Sequence, residues 1–196
     1  MSREEPQVIS ALVSLCKQTG ITCLVQVGAE DGYEADEIRK ATGCRAVCIE
    51  PDPKCAPASS KIEFHEALIG ASNSVVDFYL HAACGLSSQI ARLDGMEIKT
   101  EMPQYRLDKF CEKYGITPDT LVIDTEGTTL DVLEGCGVLL DNVRLIYAEV
   151  QTQMIRPGIR LLPEVNAFLM ARGFARRDGP PAYSAGAQGN YLWVRP

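Results

Sequence analysis

Three carboxylates in the second half of the chain have the types and positions that suit a proton transfer. Asp124 and Glu126 follow the apolar run "TLVI", and Glu149 lies near the end of "VRLIYAEV". Both runs are typical of buried strands, and the carboxyl ends of neighbouring parallel strands meet at one crevice. We expect these carboxylates to hold an acceptor hydroxyl or to take its proton. Two alternatives fit the same pattern, namely a structural role in capping or arginine pairing, and ligation of a divalent cation.

A glycine turn near the N-terminus predicts a nucleoside-like ligand. The strand "LVQV" runs into Gly28 and Gly32 with Glu30 and Asp31 between them, and the next predicted strand ends at Glu50. A dinucleotide site needs backbone amides that approach a pyrophosphate, which carboxylates at this turn would repel. S-adenosylmethionine has no phosphate and carries a sulfonium and an ammonium, so an acidic turn tolerates it. We therefore predict S-adenosylmethionine as the cofactor, with Glu50 accepting hydrogen bonds from its ribose.

The segment "YLHAACGLSSQ" is the candidate acceptor side of the site. It follows a run that alternates like a half-exposed strand and is rich in glycine and serine. We predict that His81, Ser87 and Ser88 contact the acceptor, although a solvated histidine at the end of a strand is an equal alternative. The chain has neither a Ser-His-Asp order nor a nucleophile elbow, which argues against hydrolysis.

The surrounding pattern predicts a strand, a helix and a strand that would position the glycine turn. A first helix with an apolar face that includes Leu12 and Cys16 ends at Gly20. The strand "TCLVQV" follows, then a helix from Tyr33 to Ala41 that stops at Gly43, and then the strand "RAVCIE". Such a unit is parallel and right-handed, with its ligand crevice at the carboxyl ends of the strands.

The rest of the chain continues this alternation. Further strands are predicted at "IEFHEALIG", "VVDFYLH", "GMEIKTEM", "TLVIDTEG", "VRLIYAEV" and "NYLWVRP". Helices are predicted before the stops Gly115 and Gly173, and a third helix opens with a capping box of Thr128 and Asp131. "DGPPAYSAGAQGN" is a loop by composition. No repeat or linker divides the chain, so we expect residues 1–196 to form a single domain.

Composition narrows the class of partner. The chain has 196 residues and a formal net charge of -7, which argues against nucleic acid and anionic membranes as partners. No apolar run is long enough to span a bilayer and the first residues are charged, so we expect a cytoplasmic protein. Eight cysteines without a CxxC pair, and only two histidines, favour reduced and buried thiols over a zinc site. Five arginines give the C-terminal part a basic bias, which is most simply a solvated surface and alternatively a contact for an acidic acceptor: Arg156, Arg160, Arg172, Arg176 and Arg177.

An ordered set of short blocks resembles one known family. "VQVGAEDG", "CIEPDP", "HEALIGA", "GLSSQ", "YRLDKF", "VIDTEGTTLDVLEG" and "IYAEV" are similar in order and spacing to the FkbM-type S-adenosylmethionine-dependent methyltransferases. The resemblance covers nearly the whole chain. It implies a Rossmann-like class I methyltransferase fold of the α/β class, with a mostly parallel seven-stranded sheet, helices on both faces and an antiparallel last strand. The activity that it implies is O-methylation of a hydroxyl on a small molecule, sugar or natural product.

The resemblance also assigns residues. It places Gly28 and Gly32 at the cofactor turn, Glu50 at the ribose, Glu66 and Ala67 beside the adenine, and Asp124 at the methyl-transfer centre. The neighbouring residues Gln26, Ala29 and Pro51 are also expected to bind the cofactor. Two positions depart from the family pattern. Gln26 stands where the family usually has Asp, and Thr128 with Thr129 stand where it often has an apolar residue and then an acid. On the family pattern, residue 26 is expected near the methionine part of the cofactor.

Three other classes of function remain open from the sequence. They are a nicotinamide-dependent oxidoreductase, a non-catalytic protein that binds S-adenosylmethionine, and a small scaffold whose strand-end acids are structural. The oxidoreductase is disfavoured by Glu30 and Asp31, whereas Gln26 makes the non-catalytic protein conceivable.

Overall fold

The computed structural model describes residues 6–82, 86–91, 97–155 and 157–196, and its centre is a mostly parallel sheet. The strands are β1 (Cys23–Val27), β2 (Arg45–Glu50), β3 (Glu63–Glu66), β4 (Leu68–Ile69), β5 (Ser74–His81), β6 (Glu97–Tyr105), β7 (Thr120–Ile123), β8 (Leu145–Gln151), β9 (Ala175–Arg177), β10 (Tyr183–Ala185) and β11 (Gln188–Val194). The main sheet has the order β10-β11-β8-β7-β1-β2-β3, and β9 pairs with β11 beside this path. Neighbours from β3 to β8 are parallel, whereas β11 is antiparallel to β8. The predicted fold class and the antiparallel last strand are confirmed.

Helices cover both faces of this sheet. They are α1 (Pro6–Thr19), α2 (Tyr33–Thr42), α3 (Leu107–Tyr114), α4 (Thr129–Gly135) and α5 (Leu162–Met170), with a 3₁₀ helix at Gly137–Asn142. Leu24 on β1 belongs to the core cluster that α1 and α2 complete, while its neighbour Val25 belongs to the cluster that α3, α4 and α5 complete. Successive side chains of a strand point to opposite faces, so β1 is buried on both and is apolar at nearly every position.

The predicted helix ends are confirmed, but one predicted cap is wrong. Gly20, Gly43, Gly115 and Gly173 all have positive φ at the stops expected from the sequence. Thr128 precedes α4, yet its side chain makes no capping bond. Its hydroxyl instead donates to the carbonyl oxygen of Thr125 at 3.1 Å. The hydroxyl is therefore turned back into the loop between β7 and α4, and the capping box with Asp131 does not form.

A second sheet of three strands stands beside the main one, in the order β4-β6-β5. The segment "IEFHEALIG" was expected to be one strand, but it divides at Ala67 into β3, which pairs with β2, and β4, which pairs with β6. One continuous strand could not pair with partners in two sheets, so the chain changes sheet at this point. The antiparallel pair β5 and β6 brings Phe78 and Gln104 to buried positions.

The segment between Asp178 and Asn190 was expected to be a loop, and part of it is paired. Its residues include β10 and the start of β11, which form an antiparallel hairpin closed at Gly186 and Ala187. Gly and Ser in this segment suggested a turn, and they hid the pairing because a strand at the edge of a sheet needs few apolar residues.

The cysteines largely behave as small apolar residues. Cys16, Cys23, Cys44, Cys48, Cys111 and Cys136 are free and buried, as expected. Cys55 is the exception, because it is disulfide-bonded. Cys84 and Arg156 lie outside the described residues. Within the described ranges, no helix is long and apolar enough to cross a membrane.

Candidate active site

A pocket opens at the carboxyl ends of β1, β2 and β7, with the second sheet forming one of its walls. The space inside it is about 530 Å³, which includes solvent at its mouth. Eight of the predicted site residues line it: Gly28, Glu50, Pro51, Ala67, Ser87, Ser88, Asp124 and Glu126. The fold thus brings together residues that are almost a hundred positions apart, because the strands that carry them are neighbours in the sheet.

The other predicted site residues lie near the pocket without lining it: Gln26, Ala29, Gly32, Glu66, His81 and Glu149. Ala29 belongs to the core cluster under α1 and α2. A Cβ on Gly32 would lie 2.6 Å from the Cδ1 of Ile62, so this glycine serves close packing on the same side. Glu66 is exposed, although Ala67 beside it faces the pocket.

Gly28 is required by the approach of β1 to the loop after β7. It has a φ of 72°, and a Cβ here would lie 1.7 Å from the carbonyl oxygen of Asp124. The glycine therefore serves the contact between two strands and the position of Asp124. This close approach, as well as the left-handed conformation, excludes every other residue type.

The amides of the turn are already bonded within the protein. The N–H groups of Gly28 and Ala29 donate to the carbonyl oxygen of Ile49, and that of Glu30 donates to the Glu50 carboxylate at 2.9 Å. At the start of α2, the N–H of Tyr33 donates to the Asp31 carboxylate at 3.0 Å. A pyrophosphate needs such amides unbonded at the helix N-terminus. The local structure therefore fits a ligand without phosphate.

The Gln26 side chain caps the first turn of α2. Its Oε1 accepts a hydrogen bond from the Ala35 N–H at 3.2 Å, and its Nε2 donates to the Glu34 carboxylate at 3.2 Å. Both ends of the amide are thus used between β1 and α2. The side chain is 3 % exposed and is not among those lining the pocket, although the family pattern places residue 26 near the methionine part of the cofactor.

Glu50 is a buried carboxylate that faces the pocket. It is 5 % exposed, and its two oxygens accept the N–H groups of Glu30 and Asp52, each at 2.9 Å. Burial raises the pKa of Glu50 to about 7, and these two backbone hydrogen bonds limit the rise. Each carboxylate oxygen has a second lone pair, so the side chain retains capacity for ligand hydroxyls.

Asp52 is a site-supporting residue that the sequence reasoning missed. Its side chain is fully buried and accepts a hydrogen bond from the Ser87 hydroxyl at 2.8 Å. The Ser87 oxygen in turn accepts the backbone N–H of His81 at 3.0 Å. Lys54 completes the arrangement by donating to the carbonyl oxygen of His81. The only sequence signal was an acid two residues beyond Glu50, in the "EPDP" turn.

This network ties the segment 86–91, which we call the roof of the pocket, to the turn after β2 and to the end of β5. The Ser88 hydroxyl donates to the carbonyl oxygen of Glu126 at 3.1 Å, and the Ser88 backbone pairs with Tyr79. His81 itself is buried at 7 % exposure, so the alternative of a solvated histidine is wrong. Ser87 and Ser88 therefore line the pocket while they hold its roof in place.

The three strand-end carboxylates form one cluster. One carboxylate oxygen from each of Asp124, Glu126 and Glu149 lies within 4.8 Å of the other two. Glu149 accepts hydrogen bonds from Gln188 at 2.8 Å and from Gln151 at 3.4 Å. The predicted meeting of the three acids at one edge of the sheet is thus seen in the structure. Asp124 and Glu126 line the pocket, whereas Glu149 is in the cluster but is not among the lining residues.

Backbone strain is located at the same place. Among the described residues, Glu30 and Glu126 are the two non-glycine residues with positive φ, at 50° and 52°. Both line the pocket, one after β1 and the other after β7. Left-handed conformations of such residues are unfavourable and persist where surrounding contacts impose them, often at functional sites.

Two further residues that line the pocket carry buried polar atoms that are not bonded within the described part of the chain. Gln89 Nε2 and Thr125 Oγ1 are buried and make no hydrogen bond among the described residues. Buried polar groups are nearly always satisfied, and an exception in a pocket is the place where a ligand completes the bonding. Neither residue was predicted, because an amide or a hydroxyl in a loop gives no sequence signal of this kind.

Residues 26–175 match the family model described as "Methyltransferase FkbM domain". None of the curated proteins matches the chain with significance.

Three solved structures that resemble this fold are methyltransferases. Precorrin-6y C5,15-methyltransferase from Geobacter metallireducens GS-15 is 11% identical with a TM-score of 0.56, and the match covers 99% of this chain and 91% of that one. Magnesium protoporphyrin IX methyltransferase from Synechocystis PCC 6803 with bound SAM is 11% identical with a TM-score of 0.54, covering 97% and 79%. Ribosomal protein L11 methylase from Lactobacillus delbrueckii subsp. bulgaricus is 11% identical with a TM-score of 0.55, covering 100% and 80%. At these identities the likeness shows the fold alone.

Proposed function

Because the chain belongs to the FkbM methyltransferase family, whose cofactor is S-adenosylmethionine, we propose that it transfers the methyl group of this cofactor to a hydroxyl oxygen of a small molecule. One observation carries the proposal. A single pocket joins the buried Glu50 carboxylate at one end to Asp124 and Glu126 at the other. The first suits the two hydroxyls of a ribose, and the others suit an acceptor that must lose a proton.

The cofactor end of the pocket is assigned by its chemistry. Glu50 would accept hydrogen bonds from the ribose hydroxyls, and Pro51 and Ala67 would supply apolar contact to the adenine. Gly28 would let the turn pass close to the ligand and hold Asp124 in position. In this proposal Gln26, Ala29, Gly32 and Glu66 act through the backbone or through neighbours, since their side chains do not line the pocket.

The acceptor end would orient a hydroxyl and receive its proton. The methyl carbon of S-adenosylmethionine is already activated by the sulfonium, so the protein has mainly to align the acceptor oxygen with it. Asp124, with Glu126 and Glu149 in the same cluster, would accept the hydroxyl proton. Ser87 and Ser88 would contact the acceptor from the roof, and His81 would support that roof through its backbone.

A binding experiment separates this proposal from its rivals. Calorimetric titration with S-adenosylhomocysteine and with NAD should show binding of the former only, because the amides of the glycine turn are bonded within the protein. Binding of NAD alone would overturn the proposal. A protein that binds S-adenosylhomocysteine but methylates nothing would support the non-catalytic class.

The acceptor requires a second experiment. The protein is incubated with methyl-labelled S-adenosylmethionine and panels of hydroxyl-bearing and amine-bearing small molecules, and mass spectrometry detects products that gain one methyl group. Label in hydroxyl compounds supports oxygen as the acceptor atom. Label confined to amines would overturn that part of the proposal. Parallel reactions with a chelator test whether a divalent cation takes part.

We propose that residues 1–196 form one methyltransferase domain. Two observations support it: α1, which precedes the matched family segment, contributes Leu12 to the same core cluster as Leu24, and β11, which follows that segment, pairs with β8. A single cooperative unfolding transition seen by fluorescence and by circular dichroism would agree with one domain, and two separated transitions would contradict it. The cytoplasmic location stays a prediction, for cell fractionation to test.

A further inference from the structure

The Gln89 side-chain amide carries a hydrogen-bond donor that is unused within the described residues, although its oxygen is bonded. Its Oε1 accepts a hydrogen bond from Gln104 Nε2 at 2.9 Å, while its own Nε2 is buried without a partner among the described residues. Gln89 is one of the residues that line the pocket, so a ligand bound there is the candidate partner for the unused amide hydrogens. Leaving such a donor buried and unpaired costs stability, which a bound acceptor would restore.

The orientation of this amide is set by a chain of side chains that starts at β5. The Ser74 hydroxyl donates to Gln104 Oε1 at 3.5 Å, which directs Gln104 Nε2 toward Gln89. Gln104 itself is 5 % exposed. It passes directly over Gly70, where a Cβ would lie 1.7 Å from its Nε2. The glycine therefore leaves room for the amide that fixes Gln89 with its donor unused.

Gln89 is anchored on the apolar side of the pocket. Gln104 is the register partner of Leu68 in the pairing of β4 with β6. Leu68 and Ile69 follow Ala67 along the chain, and all three line the pocket together with Phe78. The acids Asp124 and Glu126 come from β7 in the other sheet. A ligand group that fits beside Gln89 therefore has an apolar surface and an atom that accepts a hydrogen bond.

We propose that Gln89 Nε2 donates a hydrogen bond to a ring nitrogen of the cofactor's adenine, an assignment that rests on the proposed function. Adenine combines apolar faces with three ring nitrogens that accept hydrogen bonds. Its ribose, held at Glu50, places the base toward Pro51 and Ala67. Gln89 then acts as the residue that distinguishes adenine from other bases, and Gln104 is the residue that positions it.

The test uses S-adenosylhomocysteine and its 1-deaza, 3-deaza and 7-deaza analogues, each of which replaces one ring nitrogen by CH. Calorimetry measures their binding to the full chain and to Gln89→Leu, Gln104→Leu and the control Gln18→Leu, which alters an exposed amide on α1 that is bonded to Ser14. Removal of one neutral hydrogen bond in a buried site should weaken the binding of S-adenosylhomocysteine by Gln89→Leu about five- to tenfold. Gln104→Leu should show a smaller loss, and Gln18→Leu should show none.

The analogues identify the contact. One deaza analogue should bind the unaltered protein about as weakly as S-adenosylhomocysteine binds Gln89→Leu, and the variant should not distinguish the two ligands, since both changes remove the same bond. Thermal melting of each variant checks that it is folded. Two results would overturn the inference. The first is that a folded Gln89→Leu binds S-adenosylhomocysteine as tightly as the unaltered protein does. The second is that Gln89→Leu still binds every deaza analogue more weakly than it binds S-adenosylhomocysteine. Failure of the unaltered protein to bind S-adenosylhomocysteine would overturn the proposed function itself, so the two failures are distinct.

Discussion

Glu50→Gln is the change whose consequence follows most directly from the structure. The carboxylate is buried at 5 % exposure, its pKa is raised by burial to about 7, and it faces the pocket. The ribose hydroxyls would donate to its ionised form. We therefore expect the affinity for S-adenosylhomocysteine to rise with pH through neutrality in the unaltered protein, and to be weaker and independent of pH in the variant.

The size of the effect follows from the raised pKa. With a pKa of about 7, roughly one tenth of the Glu50 side chains are ionised at pH 6 and nine tenths at pH 8, so affinity should increase about tenfold over this interval. At pH 8, loss of charge-assisted hydrogen bonds worth about 1.5–3 kcal/mol should weaken binding by Glu50→Gln about 10- to 100-fold. The control Glu112→Gln alters a surface carboxylate on α3 whose side chain is 71% exposed.

The assay is calorimetric titration of the three proteins at pH 6, 7 and 8 in buffers of equal ionic strength. An unaltered protein whose affinity is the same at pH 6 and pH 8 would refute the reasoning. So would a Glu50→Gln variant that keeps the slope of the unaltered protein, because another group would then be responsible for the pH dependence.

The same shift predicts a pH dependence of folding without ligand. The pKa of Glu50 is raised in the folded state from its ordinary 4.5 to about 7, so the folded state binds the proton more tightly. The contribution to stability is full below pH 4.5 and is lost as the pH rises through 7, by about 3 kcal/mol in all. The free energy of unfolding of Glu50→Gln, measured in urea relative to the unaltered protein, should therefore improve between pH 5 and pH 8. A constant difference would contradict the burial of a charged carboxylate.

Three further changes test the framework of the site. Gly28→Ala should lower the free energy of unfolding by about 3 kcal/mol or more, because its Cβ would overlap the carbonyl of Asp124. The control Gly43→Ala has a φ of 76° and open space around it, so it should lower this free energy by about 1–2 kcal/mol from conformation alone. Equal losses of the two variants in urea unfolding would contradict this. Gln26→Asp should destabilise the protein by about 1–3 kcal/mol without raising its affinity for the cofactor, since the shorter acid gives up the bond to α2 and meets the Glu34 carboxylate. Tighter binding of S-adenosylhomocysteine by this variant would contradict this. Asp124→Asn should reduce turnover more than it reduces cofactor affinity, and equal losses in both would identify Asp124 as a cofactor ligand rather than a base.

The sequence alone was sufficient to predict the central strands and the ends of the helices. Apolar runs such as "TCLVQV" and "RAVCIE" are typical of central strands, and glycines that follow amphipathic segments are typical helix stops. These rules are local, since they depend on residues within one element. The meeting of Asp124, Glu126 and Glu149 was also predictable, because neighbouring parallel strands end at the same edge.

Only the tertiary structure decided what each side chain of the site does. Gln26 lies within β1 and bonds to α2, whereas Glu50 is the last residue of the neighbouring β2 and faces the pocket, which opens where the strands end. The link from Asp52 to Ser87 and the unused amide of Gln89 join segments that are far apart in the chain. Hydrogen-bond geometry depends on distances of a few tenths of an ångström between such segments, and no spacing of residues along a sequence specifies those distances.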